Sequence, residues 1–359
     1  MSSHPEADKS QDVEVRAAAG SPSITSASEK AGAPARPESV GSDVDNAWKF
    51  LNSVGPVDET QVNNVNLSTL RRKIDWRIVP LMFCCYTLQF LDKVIYNYAA
   101  VMGLPKDLNF KGNDFSNVAT YLFVGLLCFE IPNIYFLQAF PAAKWLGLNV
   151  TLWGIATACG AAAHNYQTLL VTRVFLGMFE ATIGPSLMLI SSHWYTKSEQ
   201  APRFSFWYLG LGLGQILGGA ISYGFQHIGP SAALSGWRTM FVVLGCITVV
   251  TGLAVILLLP DTPMEAKWLS DVEKLALLKH VSVNKTGISA KKFRLKEIGE
   301  ALLDPQLWLL LVSVVLLSVS SGVVTSYSAT LIRRPQAPGH QTVPLCSVPL
   351  LRVNIKKDN

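Results

Sequence analysis

The amino-acid sequence predicts an all-α, multi-pass membrane protein with an N-terminal bundle of six helices and a seventh helix after it. Apolar residues make up 50% of the 359 residues and charged residues only 15%, whereas soluble domains carry roughly 25% charged residues. Seven apolar runs each reach about the 20 residues that a helix needs to cross about 30 Å of hydrocarbon. Lys and Arg collect at the ends of these runs.

The first part of the chain is polar. Residues 1–66 are rich in Ser, Ala, Pro, Glu and Asp without a sustained apolar period, so we expect a disordered cytoplasmic tail there. From residue 67 to Pro80, apolar residues recur at helical spacing between basic ones. This pattern predicts a basic amphipathic lead-in to the first membrane span.

Seven membrane spans follow. They cover residues 79–102, 115–138, 145–163, 168–192, 204–225, 238–259 and 306–331. Runs this long and continuous exclude the strands of a membrane barrel, which alternate over about 10 residues. The first six spans define a bundle over residues 67–260.

The connections predict the orientation and a docked loop. Basic residues are concentrated before span 1 and in the 2–3, 4–5 and 6–7 connections, which by the positive-inside rule places the N-terminus in the cytoplasm. The 6–7 connection, residues 261–305, is predicted to hold amphipathic helices along the membrane surface, starting at a cap in Asp261-Thr262-Pro263. After the seventh helix, 306–332, residues 333–359 are interrupted by prolines, and we expect an unstructured, aberrant tail.

Charged residues inside span 1 are the first candidate site. Asp92 and Lys93 lie near its centre, where each costs roughly 2.5–3.5 kcal/mol if it faces lipid. They share an arc of about 140° with Gln89, Tyr96 and Asn97. An arc this wide predicts the wall of a water- or substrate-filled cavity. The alternative is a pair of buried charges satisfied by neighbouring helices.

Further charges lie in spans 2 and 4. Arg173 and Glu180 are seven residues apart in span 4 and therefore lie on one helix face. They are candidates for anion binding and proton relay, with a static structural pair as the alternative. Glu130 in span 2 is a further candidate, although its place near the cytoplasmic end favours a structural role.

Glycines in span 5 predict close helix packing. Gly210, Gly214 and Gly218 follow small-xxx-small spacing. A G-x-G-x-x-G match in the same segment follows no strand, so it does not predict a dinucleotide cofactor.

The sequence does not show the residue patterns of a metal site, a disulfide framework, an enzyme or a nucleic-acid-binding protein. Five of the six cysteines lie inside apolar runs, without a CxxC pair or a His cluster, so we expect neither a metal site nor a disulfide framework. A nucleophile–base pair for catalysis and a basic stripe for nucleic acid are both missing from the pattern. We expect a monomer without a cofactor that contacts lipid, a small solute and protons, not an enzyme.

Short segments then occur in a characteristic order along the chain. These are RRKIDWRIVP before span 1, FLDK in span 1, FEIPN in span 2, PAAKWLG after it, RVFLGMFEA in span 4, SSHWYTKSEQAPR after it, and PDTPMEAKWLS after span 6. Through them, residues 67–332 resemble the fungal allantoate permease branch of the major facilitator superfamily, within its anion:cation symporters. The resemblance implies the major facilitator fold and a plasma-membrane importer. It further implies proton symport of a small organic anion (a ureide such as allantoate, a vitamin or a carboxylate) by alternating access.

The resemblance also assigns residues. Arg173 and Gly177 are similar to the span 4 R-x-x-x-G motif implicated in proton coupling, Asp92 and Lys93 to the span 1 acid–base pair, and Glu180 to the span 4 acid. Two departures concern motifs of the wider superfamily.

In the 2–3 loop, Lys144 is the single basic residue where the superfamily usually has an Asp and several Arg residues. Arg203 is the basic residue that ends the 4–5 connection. In span 5, Gly214-Gln215 replaces the Gly-Pro of antiporters, which argues against antiport.

The length departs from the family as well. Its members have twelve spans in two bundles with substrate between them, and this sequence holds one bundle and a single further helix. We therefore expect a chain truncated after the seventh helix. Two interpretations stay open: a secondary transporter, or a non-transporting fragment or half-transporter partner.

Overall fold

A computed structural model describes residues 59–227, 234–281, 299 and 302–333. The helices in these ranges are α1 (Glu59–Asn63), α2 (Leu67–Val101), α3 (Leu104–Asp107), α4 (Asp114–Ala139), α5 (Ala142–Gly160), α6 (Tyr166–Glu180), α7 (Ile183–Trp194), α8 (Lys197–Gln226), α9 (Gly236–Leu258), α10 (Asp271–Val281) and α11 (Pro305–Arg333), with a 3₁₀ turn at Pro263–Glu265. The predicted tail segments 1–58 and 334–359 lie outside the described residues.

The fold begins before residue 67, earlier than predicted. Helix α1 lies inside the segment predicted to be disordered, and Val62 in it is buried. Asn66 then caps α2, because its side-chain oxygen accepts hydrogen bonds from the backbone N–H groups of Ser68 and Thr69 at 3.0 and 3.3 Å. From this cap α2 runs without interruption through Pro80, so that the lead-in and the first span form one helix.

The fourth predicted span is two helices. α6 ends at Glu180, and α7 starts at Ile183 after a turn. Pro185 accounts for the break, because it has no N–H to donate to the carbonyl of Ala181 four residues earlier. Glu180 therefore lies at a helix end in the middle of the bundle.

Five helices in the described part of the chain are long and apolar enough to cross a membrane: α2, α4, α6 with α7, α8 and α9. Seven spans were predicted. The predicted span 145–163 corresponds to α5, which is not among these five; its 19 residues include Lys144, Asn149 and two threonines and are less apolar. In the predicted seventh span, the described residues form a shorter apolar helix, Pro305–Val319.

The outer surface of the bundle is apolar, as lipid requires. On α9, large exposed apolar side chains recur every three or four residues, namely Val243, Ile247, Val250, Leu253 and Leu257. A stripe of this extent on a water-soluble monomer would be an association surface. Together with the five long apolar helices, it makes the chain a multi-pass membrane protein.

Helices α5 and α9 make the tightest crossing. Gly147 and Gly154 on α5 meet Gly252 and Gly245 on α9, so the helices run antiparallel with a glycine pair every seven residues. A Cβ built on Gly154 would lie 2.8 Å from the carbonyl oxygen of Gly245, and one on Gly252 would lie 3.0 Å from that of Gly147. Backbone therefore touches backbone at both levels, which only glycine permits.

The glycine row predicted in span 5 faces α2. Cβ atoms built on Gly210 and Gly218 would lie 2.5 and 2.8 Å from side-chain atoms of Thr87 and Val94 on α2, and Gly214 lies between them at Phe90. Gly177 on α6 is packed in the same way against the backbone of α4 at Leu122.

The connection after α9 packs on the bundle through α10. Ser270 and Glu273 form the capping box that starts α10, with the Ser270 N–H donating to Glu273 Oε2 at 2.9 Å. The predicted cap at residues 261–263 starts only the 3₁₀ turn. Leu277 joins the same buried core as Leu70 of α2. Residues 282–298 of this connection lie outside the described residues.

Ion pairs attach α10 to the starts of α2 and α8. Lys73 Nζ lies 2.9 Å from Glu273, and Glu199 bridges Arg71 and His280 at 2.5 and 3.0 Å. Burial by itself raises the pKa of Glu273, but hydrogen bonds from Lys73 and Ser270 outweigh it and the pKa lies below its ordinary value. Because the folded-state pKa is lowered, this contribution to stability is present at neutral pH and is lost as the pH falls through the lowered pKa.

Asp261 caps α5 from a distance in sequence. Its Oδ1 accepts hydrogen bonds from the backbone N–H groups of Ala143 and Lys144 at 2.7 and 3.2 Å, and the Lys144 ammonium lies 3.6 Å from Oδ2. The carboxylate is buried, whereas the Lys144 side chain is 61% exposed. The negative charge at a helix N-terminus, not the exposed ion pair, provides the main stabilisation.

We therefore predict that Asp261→Ala lowers the free energy of unfolding by about 1–2 kcal/mol, the usual cost of losing a cap. Lys144→Ala, the matched control, changes it by less than about 0.5 kcal/mol because the lysine is exposed. Reversible unfolding of the purified chain in detergent micelles measures both values. Equal effects of the two substitutions would assign the stabilisation to the ion pair instead.

Candidate functional site

Two ion pairs cross the middle of the bundle. Arg173 Nη1 of α6 lies 3.3 Å from Asp92 Oδ2 of α2, and Lys93 Nζ of α2 lies 2.8 Å from Glu180 Oε1 of α6. The four candidate charges thus pair between helices, neither within α2 nor within α6. Their formal charges sum to zero.

The Arg173–Asp92 pair is shielded from solvent. Both side chains are 4% exposed. The guanidinium lies over the rings of Tyr96 and Phe241, 4.7 and 5.0 Å from their centroids, and Thr157 of α5 donates to Asp92 Oδ1 at 3.3 Å. Aromatic faces and hydrogen bonds replace the water that both ions have lost, so this pair holds α2, α5 and α6 together.

The Lys93–Glu180 pair is different because one of its members reaches open space. Lys93 is 24% exposed, whereas Glu180 is completely buried. Gln89 also donates to Glu180 Oε1, at 3.1 Å. The other oxygen, Oε2, is buried without a hydrogen-bond partner among the described residues. An oxygen of this kind can accept a further hydrogen bond.

A cavity of about 390 Å³ adjoins these pairs. Small-molecule sites occupy roughly 300–1,000 Å³, so the space suits a small solute. Its lining comes from α2, α4, α6, α8 and α11, and it comprises Tyr86, Phe90, Lys93, Tyr96, Val118, Ala119, Leu122, Phe123, Arg173, Leu211, Ser318 and Gly322.

The polar arc predicted on span 1 is divided by the structure. Lys93 and Tyr96 line the cavity. Asp92 and Asn97 are buried among the helices, and Gln89 points to Glu180. The arc therefore serves both purposes that were considered for it, cavity wall and buried pairing.

Glu130 stands apart from this cluster. It is half-buried on α4 and does not line the cavity. The predicted motif residue Arg203 lies elsewhere too, at the start of α8, where its guanidinium binds both carboxylate oxygens of Asp75 at 3.0 and 2.6 Å.

Sequence reasoning missed the aromatic lining of the cavity. Tyr86 and Phe90 precede Lys93 by seven and three residues on α2, a spacing that places all three on one face. That spacing was the available signal. The sequence carries no such signal for Phe123 on α4, because its position opposite α2 depends on how the two helices pack.

The site offers cations, one carboxylate oxygen that can accept a further hydrogen bond, and aromatic ring faces. Groups of three or more His, Cys, Asp or Glu that could hold a metal ion are not found in the described ranges. The arrangement places two cations and two carboxylates beside a cavity of small-molecule size.

Comparisons with known proteins show which sequences and structures the chain is similar to. The sequence model of the Major Facilitator Superfamily matches residues 82–344. The chain is 40% identical over 261 residues to the "Thiamine pathway transporter THI73" of Saccharomyces cerevisiae, covering 72% of this chain and 49% of that protein. It is 33% identical over 292 residues to the "Allantoate permease" of the same yeast, covering 80% of this chain and 53% of the relative.

The chain thus spans about half the length of these relatives. Among solved structures, it is similar to a bacterial homolog of the human lysosomal transporter Spinster in an inward-facing, unoccupied conformation. The TM-score is 0.51 at 18% identity, over 73% of this chain and 55% of that one. This similarity concerns the fold alone.

Proposed function

Because the chain belongs to the major facilitator superfamily, whose members are transporters and not enzymes, we propose that it serves proton-coupled import of a small organic anion. The observation that carries this proposal is the ion pair between Lys93, which lines the cavity, and the buried carboxylate of Glu180. The yeast relative named as an allantoate permease supports an organic anion as the substrate class.

Charge balance explains the coupling. The four central charges sum to zero before substrate enters, and an anion added alone would leave a net charge at a site of low dielectric constant, where charges interact strongly. A proton on Glu180 cancels that charge. It also releases the Lys93 ammonium, which then binds the anion. One proton therefore accompanies each monovalent anion.

The second pair has a supporting role. Arg173 is among the residues that line the cavity, while its ion pair with Asp92 stays buried. It adds positive potential for the anion and keeps α2 and α6 in register. Lys93 is the cation that changes partner.

Alternating access requires the cavity to open to one side at a time. Ser318 and Gly322 of α11 complete the cavity wall in the described structure, so we propose that α11 moves relative to α2 during the cycle. Arg71, Lys73 and Lys144 lie near one end of the bundle, and their charges support a cytoplasmic location for that end and for the N-terminus. We place the protein in the plasma membrane as a monomer.

Glu180→Gln tests the coupling directly. The amide cannot titrate and leaves Lys93 free, so we expect anion exchange to be retained within about threefold while uphill accumulation driven by a proton gradient falls at least about tenfold. Proteoliposomes containing the chain and loaded with radiolabelled nicotinate or allantoate measure exchange and accumulation separately.

Two further variants complete the test. Glu130→Gln removes a half-buried acid outside the cavity and should keep accumulation. If Glu130→Gln loses coupling and Glu180→Gln keeps it, the transported proton is carried by Glu130 and not by Glu180. Lys93→Gln should lose exchange and accumulation together. If the unmodified chain, correctly inserted, transports none of these anions, the half-transporter or non-transporting interpretation is favoured.

A further inference from the structure

From the cavity lining we infer that the substrate is a planar aromatic or heteroaromatic monocarboxylate, a specification that rests on the proposed function. The site then prefers such a ring to an aliphatic carboxylate of equal size and to a ureide. The inference comes from the rings around the cavity and from how few polar groups accompany them.

Four aromatic rings border the same small space. Tyr86, Phe90 and Tyr96 come from α2, and Phe123 faces them from α4. Aromatic faces attract the edges and offset faces of other rings beyond the effect of buried area. A flat ring between α2 and α4 can use several of these faces at once.

Some of these rings are held in position. Tyr96 is stacked on Phe115 with centroids 4.8 Å apart and donates from its hydroxyl to the Phe115 carbonyl at 3.1 Å. Tyr86 meets Tyr208 edge to face at 5.4 Å. A preformed wall costs little ordering entropy when the ligand arrives.

Phe123 is placed beside the anion. Its ring centroid lies 5.8 Å from Lys93 Nζ, and the residue lines the same cavity. A carboxylate on Lys93 therefore puts the attached ring next to Phe123. This arrangement makes Phe123 the residue that distinguishes an aromatic carboxylate from an aliphatic one.

The polar part of the lining is small. Among the lining residues that the structure describes, the polar side chains besides the cations Lys93 and Arg173 are two tyrosines and Ser318. A ureide carries several amide groups that would lose water without gaining partners, and unpaired polar groups oppose binding. A single carboxylate on an apolar ring leaves none unpaired.

Benzoate and cyclohexanecarboxylate form a matched pair of probes, equal in charge and ring size and different in planarity and π-electrons. We expect the purified chain in lipid nanodiscs to bind benzoate roughly fivefold more tightly in calorimetry, with allantoate weaker than both. Phe123→Leu should remove most of that ratio by weakening benzoate alone, while Phe123→Tyr retains it. Phe175→Leu, at an aromatic residue of equal exposure outside the cavity, should leave it unchanged.

Each outcome decides between claims. Equal affinities for the two ring acids, or tighter binding of allantoate, overturn the aromatic preference while anion transport with protons can still stand. A benzoate preference that depends on Phe123, without proton-driven accumulation, sustains the preference and overturns the coupling. Absence of binding for all three anions overturns both.

Discussion

Replacing Arg173 with Met is expected to destabilise the bundle by about 3–5 kcal/mol, because it leaves the carboxylate of Asp92 buried and unpaired. Asp92 is 4% exposed, and its remaining donor is the Thr157 hydroxyl at 3.3 Å. The substitution also removes the guanidinium from the rings of Tyr96 and Phe241. Thermal unfolding of the detergent-solubilised protein measures the loss.

A double variant separates the stability lost with the ion pair from the cost of leaving the Asp92 carboxylate buried and unpaired. Asp92→Asn combined with Arg173→Met should recover most of the lost stability, because removing both partners of a buried pair is often close to neutral. Arg72→Met, at an exposed arginine of α2, should stay within about 0.5 kcal/mol. If the double variant is as unstable as the single one, packing of Arg173 and not charge compensation stabilises this region.

Gly245→Ala is the second change with a large expected effect. Its new Cβ would lie 2.7 Å from the backbone nitrogen of Ala158 and 2.7 Å from the carbonyl oxygen of Gly154. Backbone atoms cannot rotate away, so α5 and α9 must separate along their whole crossing. We expect a loss of about 2–3 kcal/mol, typical of overpacking, and a greater loss for Gly245→Val.

Gly212→Ala provides the control with the opposite sign. No atom lies within 4 Å of a Cβ built at Gly212 on α8 among the described residues, and alanine is the better helix former by about 0.5–1 kcal/mol. Denaturant unfolding should therefore rank Gly212→Ala at or above the unmodified protein and Gly245→Ala well below it. If both variants lost stability to the same extent relative to the unmodified protein, the backbone contact at Gly245 would not be the cause of the loss.

The sequence was most informative where length and periodicity decide the structure. Long apolar runs located the helices to within a few residues at α4 and α9, because lipid leaves few alternatives to a helix. The glycine row on α8 was visible as a four-residue spacing. The rows on α5 and α9 follow a seven-residue spacing just as regular, and they became meaningful only once the two helices were seen to face each other.

Pairing of charges was beyond prediction from one sequence. Asp92 and Lys93 are neighbours in the chain, but successive residues of a helix diverge by 100°, so one points to Arg173 and the other to Glu180. Which partner each one meets depends on how α2 and α6 are rotated. The same holds for Asp261, which caps a helix more than a hundred residues earlier.

Helix α2 is surrounded on all sides in its middle. Between residues 85 and 100 no side chain is exposed, since α8 with its glycines, the charged residues of α6, and α11 all contact this helix. A saturation mutagenesis scan should therefore find no permissive stripe in this segment, whereas α9 should accept exchange among Leu, Ile and Val at every third or fourth position. Within α2, natural variation that alters solute preference is therefore expected at the positions that border the cavity, as it is at Phe123 across from them on α4.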